Sequence, residues 1–271
     1  MADAIALERV GLTYGAEGSA RRVEALRDIG FTVGEGQFVS IIGPSGCGKS
    51  TLLKIVADLL PPSSGRVTVF GGDAHAARAE RSVGFVFQTP LLFPWRTSLD
   101  NVALMLEVQG LGRAERRERA RRYLDLVGLS GFEAYRPAEL SGGMQQRVSI
   151  ARALSFDPRI LLMDEPFGSL DAITRDRMGF ELLRIWERTR KTVLLVTHSI
   201  PEAVLLSDTV ITVTPRPGRV RAVHPIDLPR PRTQETRLSP GFIEYSRLLL
   251  KELEGEPAGD EAAPARAHGE A

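Results

Sequence analysis

Nine residues, GPSGCGKST at positions 43–51, restrict this chain more than any other stretch. Gly43, Gly48, Lys49 and Ser50 fit the pattern G-x-x-x-x-G-K-[ST], and Gly46 adds a glycine inside the loop. Glycine is costly to order, so three in one short loop imply unusual backbone geometry. FVSII before the loop is a short apolar run of strand type. KSTLLKIVADLL after it has apolar residues at helical spacing and is stopped by Pro61-Pro62. Strand, glycine loop and helix in that order turn successive backbone N–H groups into one concavity at a helix N-terminus, where unpaired donors and the helix dipole favour an anion. Lys49 can then reach the outer phosphates of a bound nucleotide, and the Ser50 hydroxyl can ligate Mg²⁺. Pro44, Ser45, Cys47 and Thr51 complete the cradle. The alternative is an ordinary strand-to-helix turn; the flanking strand and helix count against a chance match.

The rest of the chain supplies a body for this loop. Of its 271 residues, 43% are hydrophobic and 25% charged, enough apolar material for a sizeable core. Buried-type strands (FVSII, SVGFVFQ, RILLMDEP, KTVLLVTH) alternate with helical stretches, which predicts an α/β sheet. Between about Thr89 and Asp157 the pattern is helical, a helical insertion. DTVITVTPRPGRV reads as a hairpin, LPRPRTQETRLSP as a linker, GFIEYSRLLLKELEG as a final helix, and EPAGDEAAPARAHGEA as a disordered tail. The formal net charge of +1 argues against nucleic acid as the main partner. The start, MADAIALERVGLTYG, lacks the apolar run of a signal peptide. No apolar stretch approaches the roughly 20 residues of a membrane-spanning helix, so any membrane crossing is expected of another chain. Cys47 is the single cysteine; a helix N-terminus tends to lower a thiol's pKa, so alkylation there is expected to block nucleotide binding, the alternative being an inert small residue.

Groups suited to act on a phosphate stand at strand ends. ILLMDEP places Asp164 and Glu165 together: Asp164 to face a metal, Glu165 to orient or deprotonate an attacking water. The alternative is an acidic pair stabilising the next helix through its dipole. His198 ends TVLLVTH and Gln88 ends VGFVFQ, positions where open α/β sheets bind ligands, although polar residues also simply end strands. LSGGMQQR, residues 140–147, is of another kind. Ser141 can cap a helix whose first N–H groups Gly142 and Gly143 leave exposed, a second anion-binding helix end without a lysine.

In this order, GPSGCGKST, Gln88, LSGGMQQR, ILLMDEP, SLD at 169–171 and His198 resemble the ATP-binding subunits of ABC transporters, over roughly residues 5 to 225. The resemblance implies a P-loop (RecA-like) core with an antiparallel β subdomain and an inserted helical subdomain. The ATPase domain would span 1–229, with residues 230–271 a C-terminal linker, short helix and tail. It also explains the orphan helix end. In the family two subunits sandwich two ATP molecules head to tail, so Ser141, Gly142, Gly143 and Gln145 of one chain would complete the site around Lys49 of its homodimer partner. Glu165 would be the general base and His198 a γ-phosphate contact. Asp171 would connect the two sites, and Gln88 would reach the metal and water. Tyr14 would stack on adenine, its alternative being a core tyrosine. The implied cofactors are ATP and Mg²⁺, and the implied place is the cytoplasmic face of the inner membrane. The implied partners are a membrane-spanning permease and, indirectly, an extracytoplasmic substrate-binding protein.

LLFPWRTSLDNV, TRDRMGFELLRIWERTRKTVLLVTH and TPRPGRV resemble the nitrate, sulfonate and taurine importer branch. HSIPEA departs from the family's acidic residue after the histidine, but Ser199 can still cap the next helix with Pro201 in its first turn. Two other readings stay open. One is a soluble ABC-type ATPase acting on ribosomes or DNA, to which the arginine-rich GRAERRERARR could contribute. The other is a P-loop kinase, against which the signature counts.

Overall fold

FVSII, ILLMD and TVLLV lack the in-out alternation of a half-exposed strand, so they need cover on both faces. The computed structural model describes residues 2–15 and 22–255 and provides that cover. Strands β1 (Asp3–Tyr14) and β2 (Val23–Gly34) come first, and β3 (Phe38–Ile42) leads through the glycine loop into α1 (Lys49–Val56). β4 (Ser64–Val69), β5 (Gly72–Asp73), α2 (Ala74–Ala79) and β6 (Val83–Val86) follow. A helical run comprises α3 (Ser98–Val102), α4 (Leu104–Val108), α5 (Arg113–Leu126) and α6 (Gly142–Ser155). Alternation then resumes with β7 (Ile160–Asp164), α7 (Ala172–Thr189), β8 (Thr192–Val196), α8 (Ile200–Leu206), β9 (Thr209–Val213), β10 (Val220–Pro225) and α9 (Pro240–Glu254).

The strands form two sheets. One is antiparallel in the order β2-β1-β4-β5; the other runs β10-β9-β3-β8-β7-β6 and is parallel except for β10 at its edge. Every residue of β3 and β8 is buried. Alternation along β8 divides the core: Val193 and Leu195 join Leu182 and Trp186 of α7, whereas Leu194 and Val196 join Leu52 and Leu53 of α1 beneath the antiparallel sheet. This is the α/β P-loop architecture expected from the sequence, with antiparallel strands beside it and helices inserted between β6 and β7.

Element ends differ from the sequence pattern where local chemistry intervenes. α1 stops at Val56, ahead of Pro61. Asp58 takes φ +54°, and the N–H groups of Leu59 and Asp58 bond the carbonyls of Lys54 (2.8 Å) and Ile55 (3.0 Å), a Schellman closure. The helical run begins only at Ser98, where the Thr97 hydroxyl accepts from the Asp100 N–H at 3.2 Å.

The stretch after β10, read from composition as a linker, is packed. Leu228, Phe242 and Leu249 share a core cluster with Ala203, Val204 and Leu205 of α8. Arg232, only 4% exposed, donates from Nη1 to the carbonyls of Val204 (3.0 Å), Leu205 (2.9 Å) and Ser207 (2.7 Å), and from Nη2 to that of Ile226 (3.2 Å). One guanidinium thus closes the C-terminus of α8, where a cation also meets the negative end of the helix dipole. Burial, with repulsion from Arg230 added, pushes Arg232 down to about 10, so it stays cationic at neutral pH. Arg230 pairs with Asp208 at 2.7 Å and lies 4.1 Å over the Trp186 ring; Arg237 pairs with Asp176 of α7. The tail from Glu256 lies outside the described residues.

Arg232→Ala leaves these carbonyls without their donor and is expected to cost about 3 kcal/mol, hydrogen bonds to charged groups contributing about 1.5–3 kcal/mol each. In a chain of this size that corresponds to a fall of about 6–12 °C in the calorimetric midpoint. A fall below about 2 °C would show that the carbonyls find other donors.

Candidate nucleotide site

The loop between β3 and α1 is held open by its glycines. Gly48, which precedes α1, has φ +100°, and a β-carbon there would lie 2.7 Å from Leu26 Cδ2 and 3.0 Å from the Ala25 carbonyl. Only glycine satisfies both the left-handed backbone and the close approach. Asp73, Thr97, Ser141, Asp171, Ser199 and Ser239 cap other helices with their side chains, whereas α1 has no side-chain cap. Its first-turn donors are therefore left to the loop concavity. Lys49 is 5% exposed and arcs back over the loop, donating to the carbonyls of Gly43 (2.8 Å) and Pro44 (2.9 Å). A cleft of about 250 Å³ opens here, with Tyr14, Ser45, Gly46, Gly48, Lys49, Ser50, Thr51, Glu165 and Arg216 among its walls. Tyr14 is 43% exposed, not a core residue, and its hydroxyl lies 3.0 Å from Thr51 Oγ1, which fixes the ring at the cleft rim.

The strand-end acids meet this loop. Ser50 Oγ donates to Asp164 Oδ1 at 2.7 Å. Burial pushes the Asp164 carboxyl above its usual range, opposed by that hydrogen bond. Glu165 adopts φ +42°, and its N–H bonds the Val196 carbonyl at 2.8 Å, so the end of β8 sets its orientation. Its Oε2 lies 3.0 Å from His198 Nδ1. Gln88 approaches the same spot: a β-carbon at Gly168 would lie 3.4 Å from both Gln88 Nε2 and Glu165 Oε2. The set of Ser50 hydroxyl, Asp164 carboxylate and Gln88 amide oxygen supplies hard oxygen donors with one firm carboxylate. That suits Mg²⁺, which keeps waters and takes phosphate oxygens rather than an all-protein cage. Among the described residues no group of three or more His, Cys, Asp or Glu could hold a metal ion.

The signature lies elsewhere. Ser141 caps α6, its Oγ accepting from the Met144 N–H at 3.3 Å, and Ser141 and Gly142 are exposed. β-carbons at Gly142 and Gly143 would meet Leu170 (3.6 Å) and Thr174 (3.1 Å), not the phosphate loop. The Gln145 amide already donates to the carbonyls of Pro137 (3.0 Å) and Leu140 (3.2 Å). Asp171 caps α7 by accepting from Thr174 (3.0 Å) and Ile173 (3.1 Å), which holds its carboxyl below the usual range. Ser199 caps α8, accepting from Glu202 at 3.4 Å, with Pro201 in the first turn.

Two features escaped the sequence. Buried Glu202 accepts from Thr197 Oγ1 at 2.7 Å and faces Arg175 at 3.7 Å, while Arg175 donates to the carbonyls of Phe167 (3.3 Å) and Leu170 (2.9 Å). The end of β8 is thereby joined to the turn after Glu165. The second is Arg216 in the cleft wall. One expectation is corrected. Cys47 is 1% exposed within the apolar cluster under α1, and burial pushes its thiol up, not down; nearby Lys49 offsets this only in part. Cys47 is thus expected to react with a maleimide at least about tenfold more slowly in the native chain than after unfolding, followed by mass spectrometry. Equal rates would restore the reactive-thiol reading.

Residues 26–168 match the family model described as ABC transporter. The chain is 48% identical over 252 residues to an uncharacterized ABC transporter ATP-binding protein of Methanocaldococcus jannaschii, covering 93% of this chain and 92% of that one. It is 45% identical over 251 residues to the taurine import ATP-binding protein TauB of Burkholderia pseudomallei, covering 91% and 95%. A dimeric ATP-binding cassette in a post-hydrolysis state bound to ADP and Pi superposes with a TM-score of 0.72 at 36% identity, over 83% of this chain and 99% of that one. A phosphate loop joined to a strand-end acid, a match across the sequence and a shared fold converge: the chain belongs to the ATP-binding subunits of the ABC transporter family and is an ATPase.

Proposed function

We propose that this chain energises an importer for taurine or a related small anion, a sulfonate or nitrate, by hydrolysing ATP as a homodimer beneath a separate permease. The observation that carries the pairing is the position of Ser141 and Gly142. Their helix end is exposed, and its near neighbours are Leu170 and Thr174 and not the phosphate loop, which supports a second chain bringing it to a nucleotide. The substrate class rests on the relatives named for taurine import.

In this reading the loop from Gly43 to Thr51 cradles the phosphates, Lys49 meets the outer ones, and Tyr14 lies against the base. Ser50, Asp164 and Gln88 would hold Mg²⁺, which when bound neutralises phosphate charge. Glu165 takes the proton of the attacking water at Oε2, and His198, 3.0 Å away, fixes that carboxylate and contacts the γ-phosphate. Ser141, Gly142, Gly143 and Gln145 of the partner close the site, and Asp171 links its two halves. Residues 1–229 form the ATPase domain, with 89–157 inserted, and 230–271 are an appendage. Among the described residues no helix is long and apolar enough to cross a membrane, which fits a peripheral subunit at the cytoplasmic face. Trp95, 68% exposed, and Leu91 offer the permease an apolar contact; a binding protein outside delivers the anion.

Glu165→Gln is expected to lower kcat by at least about 100-fold while ATP binding persists. It should also accumulate an ATP-bound dimer by light scattering. A variant that stays monomeric with ATP and hydrolyses normally would overturn the base assignment and the sandwich. Tagged chain drawn gently from native membranes is expected to bring a multi-span permease with it; recovery with ribosomes or DNA instead would remove the transport role.

A further inference from the structure

Residues 214–219, TPRPGR, join β9 to β10 and reach the phosphate loop. The turn is fixed internally: the Thr214 and Arg219 N–H groups bond, respectively, the Arg219 carbonyl and the Thr214 hydroxyl, both at 3.0 Å. It is anchored to β2 as well, with the Gly218 N–H on the Ala25 carbonyl and the Arg27 N–H on the Gly218 carbonyl, each at 2.9 Å. From this base two contacts seize successive peptide groups of the loop. Arg216 donates from Nη2 (2.8 Å) and Nε (3.1 Å) to the Gly46 carbonyl. Gly218 lies so close to the Cys47 carbonyl that a β-carbon would stand 2.2 Å from it.

The grip on Gly46 has an electrostatic and a geometric side. Among the described residues Arg216 makes no ion pair; its fork is spent on one neutral oxygen, and its charge stays at the wall of the cleft. In a planar trans peptide the C=O and the following N–H point in opposite directions. Holding the Gly46 oxygen on Arg216 therefore turns the Cys47 N–H the other way, where it donates over 3.4 Å to the Pro44 carbonyl, an acceptor that also serves Lys49. Gly46 itself, at φ +75°, has no side chain to resist peptide rotation.

We propose that Arg216 is a positioning residue for nucleotide binding: its guanidinium locks the orientation of the Gly46–Cys47 peptide in the phosphate loop and adds a cation to the cleft. The inference rests on the nucleotide reading of that cleft. Its effect falls on affinity, because Arg216 bonds the loop at Gly46, whereas Glu165 and His198 bond each other.

The test measures ATP binding by fluorescence titration with a labelled ATP analogue, and steady-state ATPase kinetics, on full-length wild-type, Arg216→Ala and Arg216→Lys chains. Arg216→Ala is expected to weaken binding and raise KM by about tenfold, the size of one lost charge-assisted contact. Its kcat should stay within about twofold and its thermal midpoint within about 2 °C of wild type, since the turn has its own anchors. Arg216→Lys, keeping the charge but only a single donor, is expected to recover part of the affinity. An affinity within about twofold of wild type in Arg216→Ala, or a fall in kcat at constant KM, would overturn the assignment. Should Arg216→Ala lose stability, an Arg216→Lys chain of wild-type midpoint and fully wild-type affinity would overturn the bidentate lock. A wild-type chain that binds no ATP would overturn the cleft reading itself.

Discussion

Parallel register across three strands is what the site depends on. Ile41 of β3 stands opposite Val196 of β8, and Val196 stands opposite Asp164 of β7. Three consecutive exits, to the glycine loop, to Glu165 and to His198, therefore open on one sheet edge. Hydrogen bonds then refine what register makes coarse: Ser50 reaches Asp164 from α1, and the Glu165 backbone rests on the Val196 carbonyl. Nothing in the individual motifs requires them to meet. The buried apolar runs between them do, because a strand shifted by one residue would exchange its two faces between two separate cores.

This explains which parts of the molecule were legible in the sequence. The phosphate loop, the acidic pair, the histidine and the signature are local patterns at the ends of apolar runs, and position along a strand is written in composition. Local chemistry was also readable at Ser199 and Pro201, a cap and a first-turn proline wherever the helix lies. What failed was non-local. The reactive-thiol expectation for Cys47 used the helix N-terminus, a neighbour in sequence, and missed burial beneath the antiparallel sheet. Arg216 lies 170 residues from Gly46, and no periodicity connects them. The segment after β10 looked like a linker because its prolines and arginines suggest exposure. Arg232 instead finds acceptors at the C-terminus of α8, supplied only by the fold.

The same contrast separates the site from its supports. Of the residues proposed to act on the nucleotide, Lys49 is buried, whereas the His198 side chain is half-exposed. Behind them Glu202 and Arg232 are buried, and Arg175, Arg230 and Arg237 are partly buried. Glu202 and Arg175 join the strand before His198 to the turn after Glu165, so these two elements share one rigid backing. Arg232 and Arg230 close the far end of α8 in turn, and Arg237 fastens the beginning of α7. The C-terminal residues thereby reach the two helices that follow Glu165 and His198.

Lys49 spans the loop with bonds to two of its carbonyls. A buried ammonium without partners would carry a desolvation penalty of several kcal/mol and tend to pull the loop shut. Here the Gly43 and Pro44 carbonyls satisfy that charge. Lys49 begins α1 and Gly43 directly follows β3, so one side chain ties the far end of the loop back to its start, and the loop's shape is closed from within.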